Sequence, residues 1–309
     1  MDALVVIGGS TASGKSALAL ELARHNGGMV INADSQQLFA ELPTLTARPG
    51  PDETALVPYR LYGLLAADEQ PSVGRWLPLV AGALAEARRE GRTAIVTGGT
   101  GLYLHALLHG LPAMPDIPSR LRTELRALAC AEPPESLHAR LAACDPAMAG
   151  RLQPGDTQRI LRALEVIEAT GRSLQDWQTD PRQHLALPAR VSGFALVPPA
   201  AMVNARIEAR LHGMIEAGAL VEVEELLARW PAATSLPIAK VHGLRELAMV
   251  CQGQLELEAA RTSIAAQTRR YAKRQRTWLR HQLPELQPIE AVGESDEALA
   301  AVAGWLGTR

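Results

Sequence analysis

Aromatic residues are scarce in this chain: they make up 4% of its 309 residues, and only 2 are Phe. Leu, Ala and Val must fill the core instead, which favours helices over an all-β sandwich. Cysteine is also rare. Cys130, Cys144 and Cys251 form neither a Cys-x-x-Cys pair nor an even disulfide framework, so they are expected to be reduced and structural. No apolar run approaches the ~20 residues of a membrane span, and the first strand pattern opens by residue 4, leaving no room for a signal or transit peptide. A cytoplasmic protein without membrane contact is expected. Nor is there a basic excess: 31 Lys and Arg stand against 33 Asp and Glu, a net charge of −2. That argues against a wholly basic nucleic-acid binder and leaves room for a local basic surface. With 47% hydrophobic and 21% charged residues, the composition is that of one large globular domain or two ordinary ones.

The most informative stretch is Gly9-Ser10-Thr11-Ala12-Ser13-Gly14-Lys15-Ser16, a complete G-x-x-x-x-G-K-[ST] phosphate-binding loop. Leu4–Ile7 before it suits a buried strand, and residues 17–24 after it carry Leu18 and Leu22 on one helical face. Glycines at 9 and 14 let backbone N–H groups converge on an anion at a helix N-terminus. Lys15 adds a point charge, and Ser16 a hydroxyl for magnesium held between phosphate oxygens. This predicts a diphosphate or triphosphate ligand.

Further along, Met29-Val30-Ile31-Asn32-Ala33 predicts a second strand running into Asp34-Ser35-Gln36-Gln37. Residues just past strand carboxyl ends face the ligand crevice of an open α/β sheet, so Asp34 belongs near the phosphate loop, as a general base or magnesium partner, or as a simple turn residue. The paired amides of Gln36 and Gln37 suit recognition of a base edge. Residues 42–58 hold four prolines and no periodicity, predicting a long functional loop in which Arg48 is either a substrate-facing cation or a solvated one. Residues 59–65 suggest a strand, and 73–89 a helix with Trp76, Val80, Leu84 and Ala87 in one stripe. The strand pattern Thr93–Val96 runs into Thr97-Gly98-Gly99-Thr100, where ordinary phosphate-loop ATPases place a magnesium-binding Asp. Thr100 can donate to an anionic or bridging oxygen, and can equally cap the following helix.

Pro112, Pro115 and Pro118 mark a change of composition, after which Arg, Leu, Ala and Glu dominate to about residue 187. Three segments are expected: a core over 1–115, a helical insertion over 116–187, and the second part of the core over 188–309. Within the insertion, Gln158-Arg159-Ile160-Leu161-Arg162 follows an Asp-Thr cap and offers an RNA contact or a solvated face. Arg206 and Arg210, one helical turn apart, form either an anion clamp or surface salt bridges. Between 261 and 281 there is no acid, and Arg269, Lys273, Arg276 and Arg280 make a continuous stripe, with Tyr271 and Trp278 as stacking surfaces. This is an electrostatic footprint for a nucleic-acid backbone.

The ordered set of the phosphate loop, Asn32-Ala33-Asp34-Ser35-Gln36-Gln37, Thr46-Ala47-Arg48-Pro49, Gly98-Gly99-Thr100-Gly101-Leu102-Tyr103, the Asp156–Glu165 segment and Ala272-Lys273-Arg274-Gln275-Arg276-Thr277-Trp278-Leu279-Arg280 resembles the bacterial tRNA dimethylallyltransferases. The resemblance covers nearly the whole chain. It implies an α/β fold with a phosphate-loop NTPase-like core, a parallel sheet flanked by helices, and a helical insertion. It also implies a prenyltransferase that moves the dimethylallyl group of dimethylallyl diphosphate to N6 of the adenosine 3′ of the anticodon, in tRNAs reading codons that start with U. By that resemblance Asp34 is the general base and Thr100 bonds the bridging oxygen. Lys15, Arg210 and magnesium on Ser16 neutralise the diphosphate. Residues Asp34, Ser35, Gln36 and Gln37, Gln158–Arg162, and the basic residues Lys273 and Arg276 touch the tRNA anticodon stem-loop, and the protein acts as a monomer. The chain departs from the family pattern at Tyr59–Gly63, which lacks a histidine and an acid, and at Gly243-Leu244-Arg245, which lacks a tyrosine. A small-molecule kinase that binds ATP, and a nucleotide-switched RNA-binding protein, are the competing readings of the phosphate loop.

Overall fold

A computed structural model describes residues 3–307. The chain divides into two compact units: one takes the chain up to Leu108 and again from Leu185 onward, and the other is His109–His184. The first is built on a six-stranded sheet in the order β3-β2-β4-β1-β7-β8, in which every pairing is parallel. Its strands are β1 (Ala3–Gly9), β2 (Met29–Asn32), β3 (Tyr59–Arg60), β4 (Ala94–Gly98), β7 (Arg190–Leu196) and β8 (Gln287–Ile289). Two short strands, β5 (Leu111–Pro112) and β6 (Arg182–Gln183), pair antiparallel within the second unit.

The central strands are buried on both faces, hence their unbroken apolar runs rather than an alternating pattern. Successive side chains of β1 divide between two cores. Leu4 and Val6 join one with Met29, Ile31 and Val96; Val5 and Ile7 join the other with Leu18, Leu22 and Ile95. The first helix, Lys15–Asn26, lies on the second face and presents Leu18, Ala19, Leu22 and Ala23 inward. On the first face, the helix Val73–Arg89 buries Trp76, Val80, Leu84 and Ala87, the stripe its sequence spacing predicts. Trp76 stacks on Tyr103 with ring centroids 4.8 Å apart and donates its indole N–H to the Asn32 carbonyl at 2.8 Å. A large aromatic therefore braces the end of β2, immediately before Asp34.

Several expectations need correction. The stretch 42–58 is not bare loop: Pro43–Thr46 and Pro51–Leu56 are short helices, each opened by a proline whose missing N–H costs nothing in a first turn. The strand expected over 59–65 is only Tyr59–Arg60, because Leu61 (φ 67°) and Gly63 (φ 62°) turn the backbone out of the extended region. The insertion expected over 116–187 is the unit His109–His184, since pairing of β5 with β6 ties its first residues to its last. It has its own core, in which Leu137, Leu141, Ile160 and Leu164 are fully buried. All three cysteines are free thiols: Cys130 and Cys144 are exposed, while Cys251 is partly buried and packs against the main core.

One glycine governs how closely β2 and β4 finish. A Cβ on Gly98 would sit 2.2 Å from the Ala33 carbonyl carbon and oxygen, so only glycine lets the end of β4 pass the backbone just before Asp34. Gly98→Ala should destabilise the fold by ~1–3 kcal/mol, the usual effect of overpacking. Chemical denaturation checks this, and an unchanged midpoint would disprove the close approach.

Candidate active site

The carboxyl ends of β1, β2 and β4 lie side by side, and the loops leaving them meet at a cavity of about 320 Å³. From β1 comes the phosphate loop. Its sharp curl needs positive φ at Ala12 (61°) and Gly14 (88°), while Ser10 and Ser13 turn inward and are buried. Ser13 N–H closes the turn on the Ser10 carbonyl at 3.2 Å, and the first helix starts at Lys15. Lys15 Nζ donates to the Ser10 carbonyl at 3.1 Å. Burial brings this ammonium down to about 8; nearby Asp34 opposes the shift and Arg210 adds to it.

The loop leaving β2 is shaped by Asn32, which is fully buried. Its Oδ1 accepts from Asp34 N–H at 2.7 Å, and its Nδ2 donates to the carbonyls of Asp34 at 3.0 Å and Leu61 at 2.9 Å. Asp34 Oδ1 in turn accepts from Gln36 N–H at 3.0 Å, an Asx turn that fixes the carboxylate at the cavity wall. The turn geometry and the cavity-facing position of Asp34 are thus compatible. Ser35 N–H donates to Thr100 Oγ1 at 2.9 Å, and the Thr100 hydroxyl donates to Ser35 Oγ at 3.2 Å. Neither Thr100 nor Ser35 lines the cavity, whereas Thr97 and Gly98 do. Both glutamine amides are engaged: Gln36 Oε1 accepts from His242 N–H at 3.1 Å, and Gln37 Nε2 donates to the carbonyls of Thr46 at 3.1 Å and Ala47 at 2.9 Å.

Arg206 and Arg210 both reach the cavity from the helix Ala200–Glu216. Arg210 Nη1 donates to Thr11 Oγ1 at 3.0 Å; burial lowers its pKa, against the pull of Asp34. Arg206 Nε donates to the Ala12 carbonyl at 2.9 Å and pairs with Glu294. The same helix supplies Ile207, Leu211 and Met214, which with Leu45 and Ile264 make the cavity's apolar wall. The cavity lining therefore combines cations with hydrocarbon. His242 and Tyr271 close it with ring centroids 4.3 Å apart. Burial pushes the His242 imidazole down and the Tyr271 phenol up, so both favour their neutral forms. No periodicity or motif marks His242 as a site residue; it reaches the cavity because the chain turns at Gly243, φ 91°.

Other expected residues lie elsewhere. Arg48 does not face the cavity: its guanidinium donates to the carbonyls of Phe39 and Ala40, both at 3.1 Å. In the second unit, Ile160 is a core residue and cannot contact RNA. Gln158 and Arg159 are exposed, Leu161 and Arg162 half-buried, and Arg162 donates to Glu165 at 3.2 Å. The basic stripe lies on the helix Leu257–Gln282, but it is not free of acid, since Arg269 pairs with Glu208 of the neighbouring helix. Lys273 and Arg280 are exposed and Arg276 half-buried. Tyr271 points into the cavity, and Trp278 packs under Gly101, where a Cβ would meet its ring at 2.1 Å, so neither ring is the surface platform expected for bases.

Ser16 lines the cavity beside Lys15 and Asp34. Among the described residues no cluster of three His, Cys, Asp or Glu forms a protein-only metal cage. A hydroxyl and a carboxylate lining one cavity instead suit magnesium, which takes few protein oxygens and completes its shell with phosphate and water.

Comparisons with known proteins agree with this geometry. Residues 37–282 match the family model for IPP transferase, and residues 2–62 that for isopentenyl transferase. A tRNA dimethylallyltransferase of Rhodospirillum rubrum is 49% identical over 94% of this chain and 88% of its own length. One of Nitrobacter hamburgensis is 51% identical over 91% and 88%. Among solved structures, a full-length tRNA isopentenylpyrophosphate transferase of Bacillus halodurans superposes with a TM-score of 0.69 at 26% identity, covering 99% of this chain and 96% of that one. A eukaryotic dimethylallyltransferase acting on tRNA shares the fold with a TM-score of 0.80 at 24% identity, covering 99% and 80%. With most of its length matched and half its residues shared with such relatives, the chain belongs to the IPP transferase family.

Proposed function

We propose that this protein transfers the dimethylallyl group of dimethylallyl diphosphate to N6 of the adenosine 3′ of the anticodon, in tRNAs reading codons that start with U, and releases diphosphate. The observation that carries this reading is the mixed lining of one cavity, which brings Lys15, Arg206 and Arg210, the apolar side chains Ile207, Leu211 and Met214, and the Asp34 carboxylate together. Lys15, Arg210 and the loop N–H groups would hold the diphosphate, leaving the five-carbon chain against Ile207, Leu211 and Met214. As the N6–C1 bond forms, the C1–O bond breaks, its electron pair passes to the diphosphate, and Asp34 takes the proton from the amine. Charge developing on the leaving oxygen is met by Lys15 and Arg210, in a site where burial makes each cation more effective. The Thr100 hydroxyl, directed at Ser35 and set back from the cavity lining, would swing toward the bridging oxygen as the diphosphate binds. Magnesium bound through Ser16 would supply further neutralisation of the diphosphate.

The adenosine has to leave its stack to reach the cavity. The exposed cations of the helix Leu257–Gln282 would track the RNA backbone, and the insertion, through Gln158, Arg159, Leu161 and Arg162, would hold the anticodon stem-loop. The protein is proposed to act as a cytoplasmic monomer; among the described residues no helix is long and apolar enough to cross a membrane.

Labelled dimethylallyl diphosphate and an anticodon stem-loop test the reaction. Wild type should place label on the adenosine amine, and Asp34→Asn or Thr100→Ala should each lower the rate by roughly a hundredfold, as for a general base or an oxyanion donor. No label with wild type, together with ATP consumption in the presence of a small alcohol or acid, would establish the kinase instead.

Lys15 also predicts a pH dependence. Its ammonium sits near 8 in the empty cavity, and a bound dianion would raise it again, so binding takes up a proton around that pH. Relative to Lys15→Arg, which stays charged, pyrophosphate affinity should be level below pH 8 and weaken by up to about tenfold per pH unit above it. Calorimetry in buffers of different ionisation enthalpy reads both effects; the ligand's own titration is common to the two proteins and cancels. Identical pH slopes would refute the assignment.

A further inference from the structure

Gln275 belongs to the basic helix but faces away from solvent, with 6% of its surface exposed. Both ends of its amide are used. Oε1 accepts the backbone N–H of Thr11, in the phosphate loop, at 2.8 Å. Nε2 donates to the carbonyl of Gly99, in the loop that carries Thr100, at 2.9 Å. The orientation of the amide is forced, because Thr11 offers only a donor and Gly99 only an acceptor. Gly99 must be glycine for this contact, since a Cβ there would lie 2.2 Å from Nε2.

The two loops leave different strands, β1 and β4, and each is fixed near the amide. The Gly99–Thr100 peptide is held on both edges, its carbonyl by Gln275 and its N–H by the Ala33 carbonyl at 3.2 Å. Thr11 is held through its N–H by Gln275 and through its hydroxyl by Arg210. One N–H of the anion cradle is therefore committed to Gln275 and is not available to a phosphate.

We propose that Gln275 is a positioning residue that sets the spacing between the phosphate loop and the Thr100 loop. The inference rests on the reaction proposed above, in which the leaving diphosphate sits on one loop and the hydroxyl that meets its bridging oxygen on the other. Such a pair must keep its geometry to within about 0.5 Å to be productive. Gln275 touches neither reactant; it acts through the two backbones it joins. A side chain that merely filled space would be replaceable by leucine, whereas the clamp needs a donor and an acceptor at once.

Two variants separate these cases. Gln275→Leu keeps the bulk and loses both hydrogen bonds. Gln275→Glu keeps the acceptor for Thr11 but, when ionised, sets a carboxylate against the Gly99 carbonyl; protonated, it donates to Gly99 as the amide does. Burial raises the pKa of the introduced carboxyl, which brings that recovery into an accessible pH range. In full-length protein, hydrogen exchange over residues 9–16 and 97–104 should speed up in both stretches with Gln275→Leu. With Gln275→Glu it should speed up at neutral pH and return toward wild type as pH is lowered. In the labelled-transfer assay, kcat should fall roughly 10- to 100-fold for both variants at neutral pH, while KM for dimethylallyl diphosphate moves less than about threefold. Relative to wild type at each pH, only Gln275→Glu should regain kcat in acid.

Wild-type exchange in both stretches of both variants would overturn the clamp, as would wild-type kcat or identical pH profiles for the two variants. If wild type itself transfers no label, the reaction is what fails; the clamp is then decided by exchange alone, with coupled, pH-reversible loosening supporting it and its absence overturning it.

Discussion

A diphosphate carries charge that water solvates well, so a protein can hold it only if the replacing donors and cations are fixed before it arrives. Everything around the cavity follows from that constraint. The cations come from separate elements, Lys15 from the end of the phosphate loop and Arg206 and Arg210 from the helix Ala200–Glu216. Burial in the pocket lowers the pKa of both Lys15 and Arg210, and repulsion from a neighbouring arginine adds a smaller push in the same direction. Asp34 is the counter-charge to these cations, and its carboxylate works against both of those shifts. A residue read as a catalytic base thus also has an electrostatic role in the resting protein.

Fixing the cations requires fixing the backbone. The loops after β1, β2 and β4 carry few side chains of their own to hold them, and their orientation comes from buried amides. Asn32 shapes the Asp34 turn and Gln275 joins the phosphate loop to the Gly99–Thr100 peptide. In a site of low dielectric such fully paired amides are stiff supports, because breaking one strands a buried polar group. The glycines beside them serve the same end from the opposite direction: Gly98 and Gly99 have no Cβ where Ala33 and Gln275 approach.

The basic helix Leu257–Gln282 has two faces with different duties. Outward it shows Lys273 and Arg280; inward it contributes Ile264, Tyr271 and Gln275 to the cavity and its supports. A cluster of cations without an acid among them in the sequence hid that division. Part of the charge is also spent at home, since Arg269 is neutralised by Glu208 from a segment sixty-one residues away in the chain.

Local chemistry made a good deal of this protein legible before any coordinates. The phosphate loop is contiguous, so its curl is written in Gly14 and its charge in Lys15; the stripe of Trp76, Val80, Leu84 and Ala87 needs only the helical period. The parallel α/β class follows from apolar runs alternating with helical patterns. Residues 59–65 misled because strand propensity says nothing of the positive φ at Leu61 and Gly63. The basic stripe misled because its acidic partner is remote in sequence. His242, Asn32 and Gln275 carry no mark of their roles, as each acquires one only when segments distant in the chain are brought into contact with its polar atoms or its ring. The sequence by itself determined most of the elements, the α/β class and the loop that curls at the end of the first strand. Only the tertiary structure decided which side chains meet around that loop, because hydrogen bonds and charge pairs depend on distance in space and the chain order does not encode it.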